Sequence, residues 1–207
     1  MQFLIDMYAP DTYVEIGVQK AWTFNQISPL VKTAIAVDVA PMPKVAKRDN
    51  VEVREQSSSD FALYWMARAN TDIDLLLIDG DHSSIQVEKD FNSLGRYVTP
   101  GTGIVLLHDT YPSNAKLMNK GYCHDAWKVA DWIHSGAKYR DAKQWEIFTF
   151  PGPYAGMSIL RKRTEHHLHW FKPAIVVPET VDPEAHVDYK EEGNDRWDDN
   201  GGSTHSR

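Results

Sequence analysis

A chain of 207 residues with 42% apolar and 25% charged side chains has the composition of an ordinary globular protein, which excludes a wholly disordered chain and a membrane-embedded one. Its length suits one well-buried domain with a tail rather than two full domains. The net charge is −7, no basic cluster forms a nucleic-acid footprint, no apolar run approaches the roughly 20 residues of a bilayer span, and the first ten residues are too short and acidic for a signal peptide. The expectation is a cytoplasmic protein with a small-molecule partner, without nucleic acid or membrane. Cys123 is the only cysteine, so neither an internal disulfide nor a cysteine zinc cluster can form.

In chain order, short β-branched runs alternate with amphipathic segments, the pattern of βαβ units in a doubly wound α/β sheet. Tyr13 to Ile16 reads as a first strand, Phe24, Ile27, Leu30 and Val31 as one face of a helix, and Thr33 to Val39 as a second strand. Val51 to Arg54 makes a third strand, and Phe61, Tyr64, Trp65 and Arg68 share a helix face. Ile73 to Ile78 is the near-continuous apolar run of a central parallel strand. Ser83 and Gln86 suggest a capping box for a helix whose apolar face is Val87, Phe91, Leu94 and Val98, stopped by Pro100-Gly101. Gly103 to Leu107 is the next buried strand, followed by a loop of ten to fifteen residues and a helix around Ala126 to Ile133. Glu146 to Phe150 and Gly156 to Leu160 read as a closing antiparallel hairpin. From Pro178 onward nine acids face three bases among Gly, Asn and Ser, so the domain is expected over 1–177 and an acidic, disordered tail over 178–207.

In open α/β sheets the ligand sits beyond the carboxyl ends of the strands. The first such end is Glu15-Ile16-Gly17-Val18-Gln19-Lys20-Ala21-Trp22-Thr23, where Gly17 lets the backbone pass close to a ligand; Glu15, Gly17 and Thr23 are candidate cofactor contacts. Asp38 ends the second strand, where a carboxylate can accept from two ribose hydroxyls of S-adenosylmethionine or of NAD. Gln56-Ser57-Ser58-Ser59 follows the third strand; Ser57 is a candidate adenine contact, and Ser58 or Ser59 a candidate helix cap. Two further strands end in Asp79-Gly80-Asp81-His82 and His108-Asp109-Thr110. Carboxylates gathered at one edge repel unless a cation or proton lies between them, and hard oxygen donors favour magnesium, calcium or manganese.

These two blocks resemble those of the macrocin O-methyltransferase family, and more distantly catechol O-methyltransferase and cephalosporin hydroxylase-type proteins, over Tyr13 to Arg161. The resemblance implies a class I methyltransferase fold, S-adenosylmethionine as cofactor, magnesium held by Asp79 and Asp109, Asp81 as general base, and a sugar or other small-molecule hydroxyl as acceptor. It also places Asp79 beside the cofactor. The family pattern tends to a second acid after Asp109, where this chain has Thr110, a weaker neutral ligand, so metal affinity is open. The glycine loop departs as well, with Ala21 where a second glycine is usual.

His82 is read as an orienting residue for Asp81 or an alternative base, His108 as a packing residue, and His166, His167 and His169 as too scattered for a metal site. Trp127, Trp132 and Trp145 are expected in the core or at its rim, whereas Trp22 could cover a ligand. Relatives often carry N-terminal helices over the site; with about twelve residues before the first strand, a second subunit of a homo-oligomer could supply the cover, or the site stays more open. Three readings compete with the metal-assisted O-methyltransferase: a metal-independent methyltransferase using Asp81 or His82, an NAD-binding oxidoreductase, and a catalytically silent binding domain.

Overall fold

The computed structural model describes residues 2–68, 72–136, 144–152 and 155–164. Its twelve main elements are α1 (Gln2–Tyr8), β1 (Thr12–Ile16), α2 (Trp22–Ile27), β2 (Thr33–Asp38), β3 (Val51–Glu55), α3 (Ser58–Ala67), β4 (Leu75–Ile78), α4 (Ser84–Leu94), β5 (Ile104–His108), α5 (Trp127–Ser135), β6 (Trp145–Phe150) and β7 (Met157–Lys162). One sheet runs β3-β2-β1-β4-β5-β7-β6, with the pairs from β3 to β5 parallel and β7 antiparallel to both β5 and β6. This is the doubly wound architecture and closing hairpin expected from the sequence. The acidic tail and the three clustered histidines lie outside the described residues.

Strand alternation builds two cores. Val14, Ile16, Ile35, Val37, Leu76, Ile78, Val105 and Leu107 face one way and pack on Phe61 and Trp65 of α3, Val87 and Phe91 of α4, and Val129 and Ile133 of α5. Tyr13, Ala34, Ala36, Leu75, Leu77, Ile104 and Leu106 face the other way, onto Phe24 and Ile27 of α2 and Ile5 of α1. Helix α1 was not foreseen; its Ile5 is buried, with Leu4 and Tyr8 packed beside it. Trp132 and Trp145 pack against the larger core, Trp145 at 5.0 Å from the Phe91 ring, whereas Trp22 stands exposed at 71%.

Several boundaries differ from those expected. Helix α2 gives way to a 3-10 turn at Ser28–Leu30, with Pro29 inside that turn, and α4 ends at Leu94 in a 3-10 turn over Gly95–Tyr97, ahead of Pro100. The expected capping box is half formed. Ser83 Oγ accepts from the Gln86 backbone N–H at 3.4 Å, but the Gln86 side chain turns to Ser58 and Asp90, and the Ser83 N–H is taken by Asp81 Oδ1 at 2.7 Å. At α3 the cap is Ser57, not Ser58 or Ser59: its hydroxyl accepts from the Asp60 N–H at 3.1 Å.

Candidate active site

The carboxyl ends of β1, β2, β3, β4 and β5 open onto one cleft of about 1180 Å³, somewhat larger than the roughly 300–1,000 Å³ of a typical small-molecule site. Glu15, Gly17, Thr23, Asp38, Ser57, Asp79, Asp81, His82 and Asp109 all line it. A parallel sheet delivers every strand end to the same edge, so residues far apart in sequence meet without any special device.

The β1 loop turns tightly. Gly17 has φ +86°, and a Cβ there would stand 2.2 Å from the Asp79 carbonyl oxygen, so the glycine serves the packing of the β1 loop onto the β4 loop as well as the approach of a ligand. Ala21, at the place of the usual second glycine, adopts the conformation glycine would, with φ +60°. Asp38 ties the same loop down: Oδ2 accepts from the Gln19 N–H at 2.9 Å and Oδ1 from the Ala40 N–H at 3.0 Å. Each oxygen retains a lone pair for a further donor.

Glu15 lies buried beside Tyr13 on the same strand face, and the Tyr13 hydroxyl donates to it. Burial pushes its carboxyl up to about 8; the Tyr13 bond opposes this and the Asp79 charge adds to it. An acid with a raised folded-state pKa favours the fold when protonated, so the penalty is absent below about 4.5, grows with pH and is complete near 8. Glu15→Gln is therefore expected to stabilise the domain by about 1–3 kcal/mol at pH 8 and by almost nothing at pH 4, read from urea unfolding at both values. A gain that does not depend on pH would contradict this account.

Asp79, His82, His108 and Asp109 form the centre of the cleft. His82 Nδ1 lies 2.7 Å from Asp109 Oδ2 and also meets the Tyr122 carbonyl, while its Nε2 is 3.6 Å from Asp79 Oδ1. His108 Nδ1 is 3.1 Å from both Asp79 Oδ1 and Asp109 Oδ1. Both imidazoles are lifted to about 10 by Asp109 first and Asp79 second. Burial alone would raise the two carboxyls, but the imidazoles outweigh it and hold both below the usual range. Asp81 stands apart: exposed, it is held low chiefly by the Ser83 backbone N–H that its Oδ1 accepts.

Two expectations need correction. Thr110 is buried, its hydroxyl accepting from Ser158 at 2.8 Å and donating to the Leu107 carbonyl at 3.4 Å, so it stands in the β5–β7 contact and is not among the cleft residues. His108, read as packing, instead joins Asp79 and Asp109 in a group whose donor atoms lie within 4.8 Å of one another. The reason is at Asp109, whose φ of +61° breaks strand alternation and lets consecutive side chains serve one cluster. Magnesium fits this group poorly, because it demands oxygen donors and the third converging atom is an imidazole nitrogen.

Sequence reasoning also missed Asp90, a buried carboxylate lining the cleft from α4, held above the usual range by burial and accepting from Gln86 Nε2 at 2.7 Å. Its signal was its place four residues after Gln86 on the helix that starts beside Asp81. Asp125 accepts from the Ser84 N–H at 2.7 Å and binds Lys128 at 3.1 Å, which anchors the loop containing Tyr122 to the start of α4.

A sheet of this order with an antiparallel β7 and a cleft at the parallel strands' carboxyl ends defines the class I methyltransferase fold. Residues 14–110 match the family model described as a methyltransferase domain, in keeping with the methyltransferase fold. Among solved structures it is similar to the O-methyltransferase of Bacillus cereus in complex with S-adenosylhomocysteine (12% identity, 78% of each chain, TM-score 0.60). It is also similar to TomG of Streptomyces achromogenes, an O-methyltransferase of tomaymycin synthesis in complex with S-adenosylmethionine (12% identity, 78% of this chain and 77% of that one, TM-score 0.58). A third is MycE, a methyltransferase of the mycinamycin pathway in complex with magnesium, S-adenosylhomocysteine and mycinamycin VI (16% identity, 78% of this chain and 48% of that one, TM-score 0.55). At such identities the likeness is one of fold. No curated protein matches the chain significantly. Among the described residues no helix is long and apolar enough to cross a membrane.

Proposed function

We propose that this protein transfers the methyl group of S-adenosylmethionine to a hydroxyl of a small molecule or sugar. The observation that carries the reading is the convergence of Glu15, Gly17 and Asp38 with Asp79, Asp81, His82 and Asp109 on one cleft. Asp38 would accept from the ribose hydroxyls, and Gln56, whose buried Nε2 has no partner, would donate to the adenine ring. Transfer from a sulfonium is an in-line displacement, so the site's first task is alignment of the acceptor oxygen with the methyl carbon. Its second is to take the hydroxyl proton, and Asp81, ionised and exposed beside the cluster, is the base. A divalent ion bound at Asp79 and Asp109 would neutralise the two carboxylates and polarise the acceptor oxygen. An acceptor with two neighbouring oxygens, such as a sugar diol or a catechol-like ring, suits such a site best.

A second reading has its own observation: His82 and His108 already lie between Asp79 and Asp109, so their positive charge could stand where the cation would, in a metal-independent enzyme. Calorimetry with S-adenosylhomocysteine tests the cofactor half of the proposal. Binding is expected, and Asp38→Ala should weaken it by about 1–3 kcal/mol, roughly 5- to 150-fold. Unchanged affinity would remove Asp38 from the cofactor site, and binding of NAD in place of S-adenosylhomocysteine would overturn the proposal.

A further inference from the structure

We infer that the cation held at this centre is a transition-metal ion that accepts imidazole, of the manganese-to-zinc series, and that magnesium is not its metal. The inference rests on the reading of Asp79 and Asp109 as a cation site and goes beyond it by naming the ion class and a ligand, His108. Three observations carry it. First, the donor group contains two carboxylates and one imidazole, not three oxygens. Second, the His108 Nδ1 atom is buried and makes no well-aligned hydrogen bond, although it lies 3.1 Å from one oxygen of each carboxylate. An atom converging on two oxygens without an aligned proton between them is placed as a co-ligand would be, around a shared centre. Third, a further imidazole stands against the same group: His82 Nδ1 is 2.7 Å from the other oxygen of Asp109.

The two ion classes differ in what these donors are worth to them. Magnesium gives up its waters reluctantly and takes carboxylate, phosphate and water oxygens; imidazole suits zinc, copper, iron and nickel. A mixed oxygen–nitrogen set therefore follows the rising affinity order of the first-row ions. His82, bonded to Asp109, would orient that carboxylate from outside the ligand group.

The test uses the full chain, stripped of metal, titrated with Co2+, Mn2+ and Mg2+ by calorimetry and, for cobalt, by visible absorption. One equivalent of Co2+ is expected to bind about a hundredfold or more tightly than Mg2+, because the imidazole is a good donor for the first and a poor one for the second. His108→Ala should weaken Co2+ at least about tenfold while leaving S-adenosylhomocysteine affinity within about twofold, the scale at which a lost metal contact is felt. His108→Asp, which restores an oxygen donor, should narrow the preference for Co2+ over Mg2+ by about tenfold or more; the two variants together guard against one that fails to fold. Magnesium binding as tight as cobalt would overturn the inference. So would cobalt affinity unchanged in both variants, which would place the ion elsewhere, for instance on His166, His167 and His169. If no divalent ion binds while S-adenosylhomocysteine does, this inference falls and the methyltransferase stands in its metal-independent form. If S-adenosylhomocysteine fails to bind, the proposed function falls on separate grounds.

Discussion

Replacing Gly17 by alanine is expected to destabilise the domain by about 2–5 kcal/mol, a large share of the roughly 5–15 kcal/mol that holds a domain folded. Two costs add. A φ of +86° disfavours any side chain by about 1–2 kcal/mol, and a Cβ 2.2 Å from the Asp79 carbonyl oxygen and 2.5 Å from Gly80 Cα must push backbone, not a pliable side chain, at a further 1–3 kcal/mol. Because the displaced atoms belong to Asp79 and Gly80, cofactor and metal binding should fall with stability. Gly80→Ala is the control: its Cβ would meet Ile16 Cγ2 at an ordinary 3.5 Å, so a much smaller loss is expected. Denaturant midpoints for the two variants decide the matter; equal losses would show that the β1–β4 loop contact is not what Gly17 serves.

Asp81→Asn is expected to lower turnover by about a hundredfold or more while leaving S-adenosylhomocysteine binding and the melting temperature nearly unchanged. The local structure makes this substitution a clean probe. Asp81 is exposed, and its structural duty is to accept the Ser83 N–H at 2.7 Å, which the amide oxygen of asparagine can still do. What asparagine cannot do is accept a proton. The neighbouring His82 is a weaker candidate because its ring nitrogens already face Asp109, Asp79 and the Tyr122 carbonyl. Asp109→Asn should fail differently, losing the charged partner of both imidazoles and, if the proposed cation site holds, metal affinity together with stability; asparagine tolerates the φ of +61°, which keeps the backbone in place. Full activity in Asp81→Asn with loss in His82→Ala would move the base to His82.

Much of this protein was legible in one dimension. Apolar runs of four to six residues separated by helical periodicity give a parallel sheet buried on both faces, and such a sheet sends every strand end to one edge; Gly17, Asp38, Asp79, Asp81 and Asp109 follow from that rule alone. Helix α1 was missed because a short amphipathic stretch has little periodicity to read, although Leu4, Ile5 and Tyr8 carried it. The roles of His108 and Thr110 could not be read at all. Neighbours in a strand point to opposite sides, so strict alternation would turn both His108 and Thr110 away from Asp109; the left-handed turn at Asp109 breaks that rule, and His108 joins the carboxylates while Thr110 packs under Ser158. The sequence by itself determined which edge of the sheet holds the chemistry, since that depends on strand order and length. Which donors meet there was decided only by the tertiary structure, since one left-handed backbone angle at a strand end, at Asp109, changes how the side chains on either side of it face one another.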